Sequence, residues 1–293
     1  METNFDISKL TSFKVGGKIK KVYFPTSVEE FVEVLQTEPE AKIFGNLSNT
    51  LVSSDGYNGV LIITTKMSNI QIDGTKVIAD CGVKGPKLAQ TVCEKGLSGF
   101  EFMIGFPGSI GGNICMNASA HSQCISDKLV SVKVFDGTSI KNFSKDEMKF
   151  SYRHSICMDK NLIILSAEFE LEPSSSEQIQ EKMKENLAFR TSHQPSMALP
   201  NCGSVFKNPE GNSAGKLLDS IGAKGMSVGG ARVWENHANF IINDKTATSL
   251  DILKLMHKMS NTVKEKYGIK LTPEVRFLGG NNKEEEELWS KIK

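Results

Sequence analysis

Gly105-Phe106-Pro107-Gly108-Ser109-Ile110-Gly111-Gly112-Asn113-Ile114-Cys115-Met116-Asn117-Ala118-Ser119-Ala120 is the stretch on which the reading of this chain turns. Four glycines and a proline fall between Gly105 and Gly112. So few side chains cannot fill a core. Backbone without a Cβ can approach a ligand closely and can take φ > 0. Successive exposed N–H groups in such a turn make a concavity suited to phosphate. The pattern is neither the G-x-G-x-x-G of a Rossmann unit nor the G-x-x-x-x-G-K-[ST] of a P-loop, because no lysine follows at the required place. Taken alone it indicates either an anionic group such as a pyrophosphate or a tight glycine-rich connection.

The 293 residues suffice for about two domains with a sizeable core. Lys and Arg number 35 against 34 Asp and Glu, a net charge of +1. That balance lacks the basic excess of a nucleic-acid footprint. No apolar run reaches the roughly 18–20 residues of a membrane helix. The start, Met1-Glu2-Thr3-Asn4-Phe5-Asp6, has neither a basic nor an apolar signal region, so a cytoplasmic protein is expected. Six cysteines are scattered with no C-x-x-C pair, which predicts reduced thiols and no metal site.

Along the chain, 20–24 reads as a strand and 28–35 as a helix capped by Thr26-Ser27. Strands follow at 43–44, 51–52 and 60–63, with a polar turn, Gly45-Asn46-Leu47-Ser48-Asn49-Thr50, between the first two. Short strands at 70–72 and 76–81 and a helix at 87–95 precede the glycine loop. A strand at 130–135 turns at Asp136-Gly137 into a partner at 140–143, and another strand spans 162–171. A helix begins at Ser174-Ser175-Ser176, and Pro195 and Pro200 break regular structure after it. Helices are predicted at 214–219 and 250–267, and strands at 231–234, 237–243 and 269–278. Residues 281–293 carry the Glu284–Glu287 run and read as a solvated or frayed end.

The glycine loop with Asn117-Ala118 resembles the flavin-contacting loop of the UDP-N-acetylenolpyruvoylglucosamine reductases, bacterial cytoplasmic enzymes of peptidoglycan precursor synthesis. The resemblance runs in the family's order from Phe13-Lys14-Val15-Gly16-Gly17 to Pro273-Glu274-Val275-Arg276-Phe277. It implies an α+β fold: an FAD-binding fold of the vanillyl-alcohol-oxidase type in two lobes, 1–67 and 68–188, and a C-terminal α+β substrate-binding domain, 189–293. A final strand at about 271–279 would return to the flavin site. The short C-terminal third leaves no room for the tyrosine-bearing insertion of the family's longer form.

The same resemblance implies the site residues. Non-covalent FAD would be held by Gly45, Asn46, Ser48, Asn49 and Thr50, by Gly105, Pro107, Gly108, Ser109, Ile110, Gly111, Gly112 and Asn113, and by Asn117, Ala118, Tyr152 and Arg276. The turn at 45–50 matches a G-x-G-S-N turn except at Leu47, where glycine is usual. If that position needs φ > 0, leucine bears about 1–2 kcal/mol of strain there. Arg153 sits on the family's Y-R-x-S motif and would be catalytic. Ser204, in G-S-x-F-K-N-P, would be the general acid, and Glu274 would face the substrate carboxylate. Arg190, His193, Lys207, Asn208, Arg232 and His237 would hold the UDP-sugar as cationic and amide groups.

The implied activity is transfer of hydride from NADPH, as co-substrate, through FAD to the enolpyruvyl group of UDP-N-acetylglucosamine enolpyruvate. The expected partners are the UDP-sugar and NADPH, with no nucleic acid and no membrane insertion, in a monomer or weak dimer. Two other readings stay open from the residues: an oxygen-using FAD oxidase of the same fold, and a non-catalytic protein that binds flavin or sugar nucleotide.

Overall fold

The computed structural model describes all of residues 1–293. By compactness the chain forms two units. One comprises Met1, Tyr23–Asn46 and Val60–Arg190; the other comprises Glu2–Val22, Leu47–Gly59 and Thr191–Lys293.

The first unit is built on an antiparallel sheet whose strands lie in the order Ile140–Ser144, Leu129–Phe135, Ile163–Glu170, Lys76–Asp80, Ile70–Asp73. Alternation decides its buried face. Val77 and Ala79, Val132 and Val134, and Leu165, Ala167 and Phe169 enter one core. Helix α1 (Val28–Thr37) adds Phe31, Val34 and Leu35 to that core, and its Ser27 cap accepts the Glu30 N–H, as its sequence predicts. Helix α2 (Gly85–Cys93) contributes Leu88, Ala89 and Val92.

The glycine stretch is not all loop. Ile110–Cys115 is a short helix, α3, lying against strands 76–80 and 163–170. Ile110 and Ile114 are fully buried, so the stretch does contribute to a core. Helix α4 (Ser176–His193) continues past the residues first read as a boundary and stops before Pro195.

The second unit has its own core, with Phe13, Leu51, Val205, Phe206, Leu218 and Leu271 among its members. After α5 (Ala214–Ser220) its main helix is α6 (Ser249–Tyr267). Thr248 and Asp251 form a capping box at the start of α6, and Gly268 ends it at φ 70°. Ile252, Leu253, Met256, Met259 and Val263 form its buried stripe, the period its sequence shows.

Three readings are corrected here. The strand at 237–243 is only Ile241–Asn243, because 237–240 is a turn closed by Phe240 N–H to His237 O. The strand at 269–278 is only Arg276–Leu278, paired in parallel with Thr50–Val52. Pro273 interrupts it, lacking an N–H to donate. The tail is helical and docked: α7 spans Lys283–Ile292. Glu284, Glu285 and Glu286 lie in its first turn, where carboxylates suit the helix dipole. Ile292 is buried, Trp289 packs 5.7 Å from Phe277, and Glu285 is buried on the Ser249 hydroxyl.

Leu47 stands at φ 49°, so the strained backbone expected there is present. Its side chain, however, is buried. Leu47→Gly would relieve about 1–2 kcal/mol of left-handed strain and lose about 2–5 kcal/mol of core packing. The expected result is a net loss, of up to about 4 kcal/mol, by chemical denaturation. A more stable glycine variant would contradict this.

Candidate functional site

In the first unit the glycine stretch is pinned to the segment before α2. Gly85 N–H donates to Gly108 O at 2.9 Å, Ile110 N–H to Val83 O at 2.8 Å, and Gly111 N–H to Cys81 O at 2.8 Å. The amides of Ile110 and Gly111 are thus engaged within the protein, and the exposed nest expected from sequence does not include them. A Cβ on Gly111 would stand 3.0 Å from Cys81 Cβ and 3.2 Å from Cys81 O. Gly111 is glycine so that α3 can lie against the turn at Cys81, just after strand 76–80. The Cβ of Gly112 would meet only Ser109 Oγ, at 3.5 Å, so that side of the helix is open.

Around the stretch lie polar atoms without partners. Ser109 Oγ, Asn113 Nδ2 and Asn117 Oδ1 are buried and unbonded, half of the six such atoms in the chain. Each leaves about 1–3 kcal/mol of desolvation unmet, so their clustering marks the place of a polar ligand. A Cβ on Gly45 would fall 1.9 Å from Ser109 Oγ, and one on Gly108 2.0 Å from Asn113 Oδ1. Asn46 Nδ2 donates to Pro107 O. Gly45, Asn46, Pro107, Gly108, Ser109 and Asn113 therefore form one cradle, and its unmet donor and acceptors fit a flavin nucleotide. Gly105 stays close to Arg190, whose Cδ a Cβ would meet at 2.9 Å; half-burial lowers the Arg190 pKa.

Arg153 adjoins this cradle through the chain that leaves α3. Its backbone is left-handed, φ 54°, which is uncommon for a bulky side chain and is a form of strain concentrated at functional sites. Its guanidinium lies 5.3 Å from the Tyr152 ring centroid, and its Nη1 donates to Ser119 Oγ at 2.7 Å. Asn117 Nδ2 donates to Ser151 O at 3.1 Å. Sequence reasoning named Arg153, Asn117 and Tyr152 but missed Ser119, which carries no signal without its partner.

The second unit brings together Ser204 and Glu274, 70 positions apart in sequence (274 − 204). Glu274 N–H donates to Val205 O at 2.9 Å, and Lys207 N–H to Thr272 O at 2.9 Å. Asn49 Nδ2 donates to Glu274 O at 2.9 Å, and Arg276 N–H to Asn49 O at 3.0 Å. Thr50 pairs with Arg276. The turn read as a flavin contact therefore also holds the Glu274 backbone. Burial first, and then the Glu274 charge, push the Cys202 thiol up.

Asn239 is a second residue that sequence missed. Its buried side chain accepts Phe206 N–H at 3.0 Å and donates to Phe206 O at 2.9 Å, while its own carbonyl accepts Val205 N–H. An asparagine in place of a neighbouring strand thus holds the segment that follows Ser204.

The groups assigned to the UDP-sugar have varied settings. Asn208 Oδ1 accepts Ala214 N–H at 3.0 Å, at the start of α5. Arg232 is ion-paired with Glu235 at the surface. His193 Nδ1 lies 2.8 Å from Ser192 Oγ. His237 is not the cation its residue type suggested. Burial lowers its pKa, and its Nδ1 accepts Asn239 N–H at 3.1 Å. The neutral ring then carries its proton on Nε2 as a donor.

A histidine pKa held below its ordinary 6.5 means the unfolded chain binds the extra proton first. Stability should be full above that value and should fall as pH drops through it towards the folded pKa. His237→Gln should flatten this part of the pH profile of Tm. An unchanged acid slope would remove His237 as its source.

Two family models match the chain: an FAD binding domain over residues 19–140, and the C-terminal domain of UDP-N-acetylenolpyruvoylglucosamine reductase over residues 194–278. The UDP-N-acetylenolpyruvoylglucosamine reductase of Caldicellulosiruptor saccharolyticus is 39% identical over 280 residues, 93% of this chain and 90% of the relative. That of Caldanaerobacter subterraneus is 40% identical over 281 residues, 94% of this chain and 93% of the relative. The crystal structure of the reductase from Thermus caldophilus superposes with a TM-score of 0.80 at 30% identity, covering 93% of this chain and 97% of that one. An α+β chain with these matches along nearly its whole length belongs to the UDP-N-acetylenolpyruvoylglucosamine reductase family.

Proposed function

We propose that this protein reduces the enolpyruvyl group of UDP-N-acetylglucosamine enolpyruvate to give UDP-N-acetylmuramate, with NADPH as the reductant. The observation that carries the reading is the pairing of Ser204 and Glu274 on adjoining segments, tied by the Glu274 N–H to Val205 O bond. The names of the relatives supply the substrate.

FAD, when bound, supplies the two-electron transfer from NADPH to the substrate double bond. Ser109, Asn113, Asn117 and the glycines around them hold it. Ser204 Oγ–H gives its proton to the substrate carbon left negative. A hydroxyl is a weak acid, but a carbanion is a strong base, so reach matters more than acidity. Arg153 and Glu274 are assigned to the substrate carboxylate, into which that negative charge delocalises; the positive group stabilises it directly. Lys207 and His237 Nε2–H offer donors to the diphosphate.

The test is the visible spectrum of purified protein under anaerobic conditions. Flavin bands should bleach with NADPH and return on adding the enolpyruvyl substrate. Acid precipitation should release the flavin to the supernatant. Reoxidation by air as fast as by substrate would favour the oxidase reading, and a flavin spectrum with no response to substrate would leave a binding protein.

A further inference from the structure

The segment leaving α3 is fastened to the segment carrying Arg153 by three side-chain hydrogen bonds. Ser155 Oγ donates to Cys115 O at 2.9 Å, Asn117 Nδ2 to Ser151 O at 3.1 Å, and Arg153 Nη1 to Ser119 Oγ at 2.7 Å. Only the last of these bears on the guanidinium itself. Ser119 belongs to a minimal hairpin, Ser119-Ala120 paired with Gln123-Cys124. Its two tip residues, His121 at φ 52° and Ser122 at φ 61°, are both left-handed. Such tips favour Asn-Gly, so this one is strained. The tip is anchored: the His121 and Phe189 rings pack T-shaped with centroids 5.3 Å apart.

We infer that Ser119 is a positioning residue for Arg153, aiming its guanidinium at the substrate carboxylate. The inference rests on the proposed function only for the identity of that carboxylate. An arginine in the left-handed region has its side chain thrown in an unusual direction, and a flexible stem leaves the head group many orientations. The Tyr152 face restrains it from one side without fixing rotation about the cation. A hydroxyl accepting one Nη1–H adds a directional restraint on that rotation. The acceptor is neutral, so it orients the guanidinium without cancelling the charge that the carboxylate would meet. A carboxylate at position 119 would hold Arg153 more tightly and compete with the substrate.

The test compares Ser119→Ala and Ser119→Thr in the flavin-loaded enzyme. Ser119→Ala should keep its flavin and its NADPH-driven bleaching. Reoxidation by the enolpyruvyl substrate should slow about tenfold, the order expected when one hydrogen bond to a charged group is lost. Ser119→Thr, which retains the hydroxyl, should stay within about twofold of wild type. In an Arg153→Ala background, Ser119→Ala should add nothing, because the group it positions is gone. Phenylglyoxal modification, followed at Arg153 by peptide mass spectrometry, should speed up in Ser119→Ala. A Ser119→Ala enzyme with wild-type reoxidation, or a tenfold loss that persists without Arg153, would overturn the inference. If the wild type itself is not reoxidised by this substrate, the proposed function fails. The modification rate then decides separately: no change at Arg153 overturns the positioning role, and a rise upholds it.

Discussion

Ser204→Ala is expected to leave NADPH bleaching of the flavin near the wild-type rate and to slow reoxidation by the enolpyruvyl substrate by about 10²-fold or more. The split follows from the role proposed for the hydroxyl. Flavin reduction needs no proton from Ser204, whereas the second half-reaction leaves a carbon that must be protonated. The substitution should fold. Ser204 is half-buried, and its segment is held by Asn239 and by the Glu274 N–H, neither of which uses the hydroxyl. Ser204→Cys should recover part of the rate, since a thiol can also give a proton. Stopped-flow absorbance separates the two halves. A Ser204→Ala enzyme reoxidised at the wild-type rate would make Ser204 a turn residue.

Adjacent glycines should behave oppositely when changed to valine. Gly111→Val forces a branched side chain against Cys81, whose Cβ and carbonyl would lie 3.0 Å and 3.2 Å from the new Cβ. Part of that contact is the Cys81 carbonyl, backbone of the turn just after strand 76–80, and cannot swing away. Overpacking of this kind costs about 1–3 kcal/mol, so α3 is displaced and Tm falls by several degrees. Gly112→Val meets only Ser109 Oγ at 3.5 Å. Valine is no worse than glycine in a helix, so this variant should keep the wild-type Tm while purifying largely without flavin. Thermal melts and the ratio of visible to ultraviolet absorbance read the two effects separately. A stable Gly111→Val protein, or a Gly112→Val protein with full flavin, would move the ligand side of the loop. From composition alone Gly111 looks like the residue that backbone needs against phosphate; the structure adds its close approach to the turn at Cys81.

The thiols of buried Cys81 and half-buried Cys157 should be inert. Burial pushes Cys81 and Cys157 up to about 12, and the thiolate is the reactive form. Their placement is a matter of packing, consistent with all six cysteines being free.

Local chemistry was legible in the chain itself. Ser27 caps α1 and Gly268 ends α6 because a β-region hydroxyl and a residue free to take positive φ act over a few neighbours. The periodicity of Leu253, Met256, Met259 and Val263 likewise needs only the helix repeat. The density of glycine at 105–112 marked the cradle, and the motif resemblance named Arg153, Ser204 and Glu274. What tertiary structure alone decided were matters of partnership. The tail from Lys283 reads as a charged end until Trp289 and Ile292 find the second core and its glutamates find a helix N-terminus. His237 reads as a cation until burial and the Asn239 N–H make it a neutral donor. Ser119 and Asn239 carry no pattern of their own, because a serine or an asparagine acquires its role from the atom it meets: Arg153 Nη1 across 34 residues and the Phe206 backbone across 33. Sequence spacing encodes neighbours along one element, whereas a hydrogen bond between distant segments exists only once the cores have set those segments side by side.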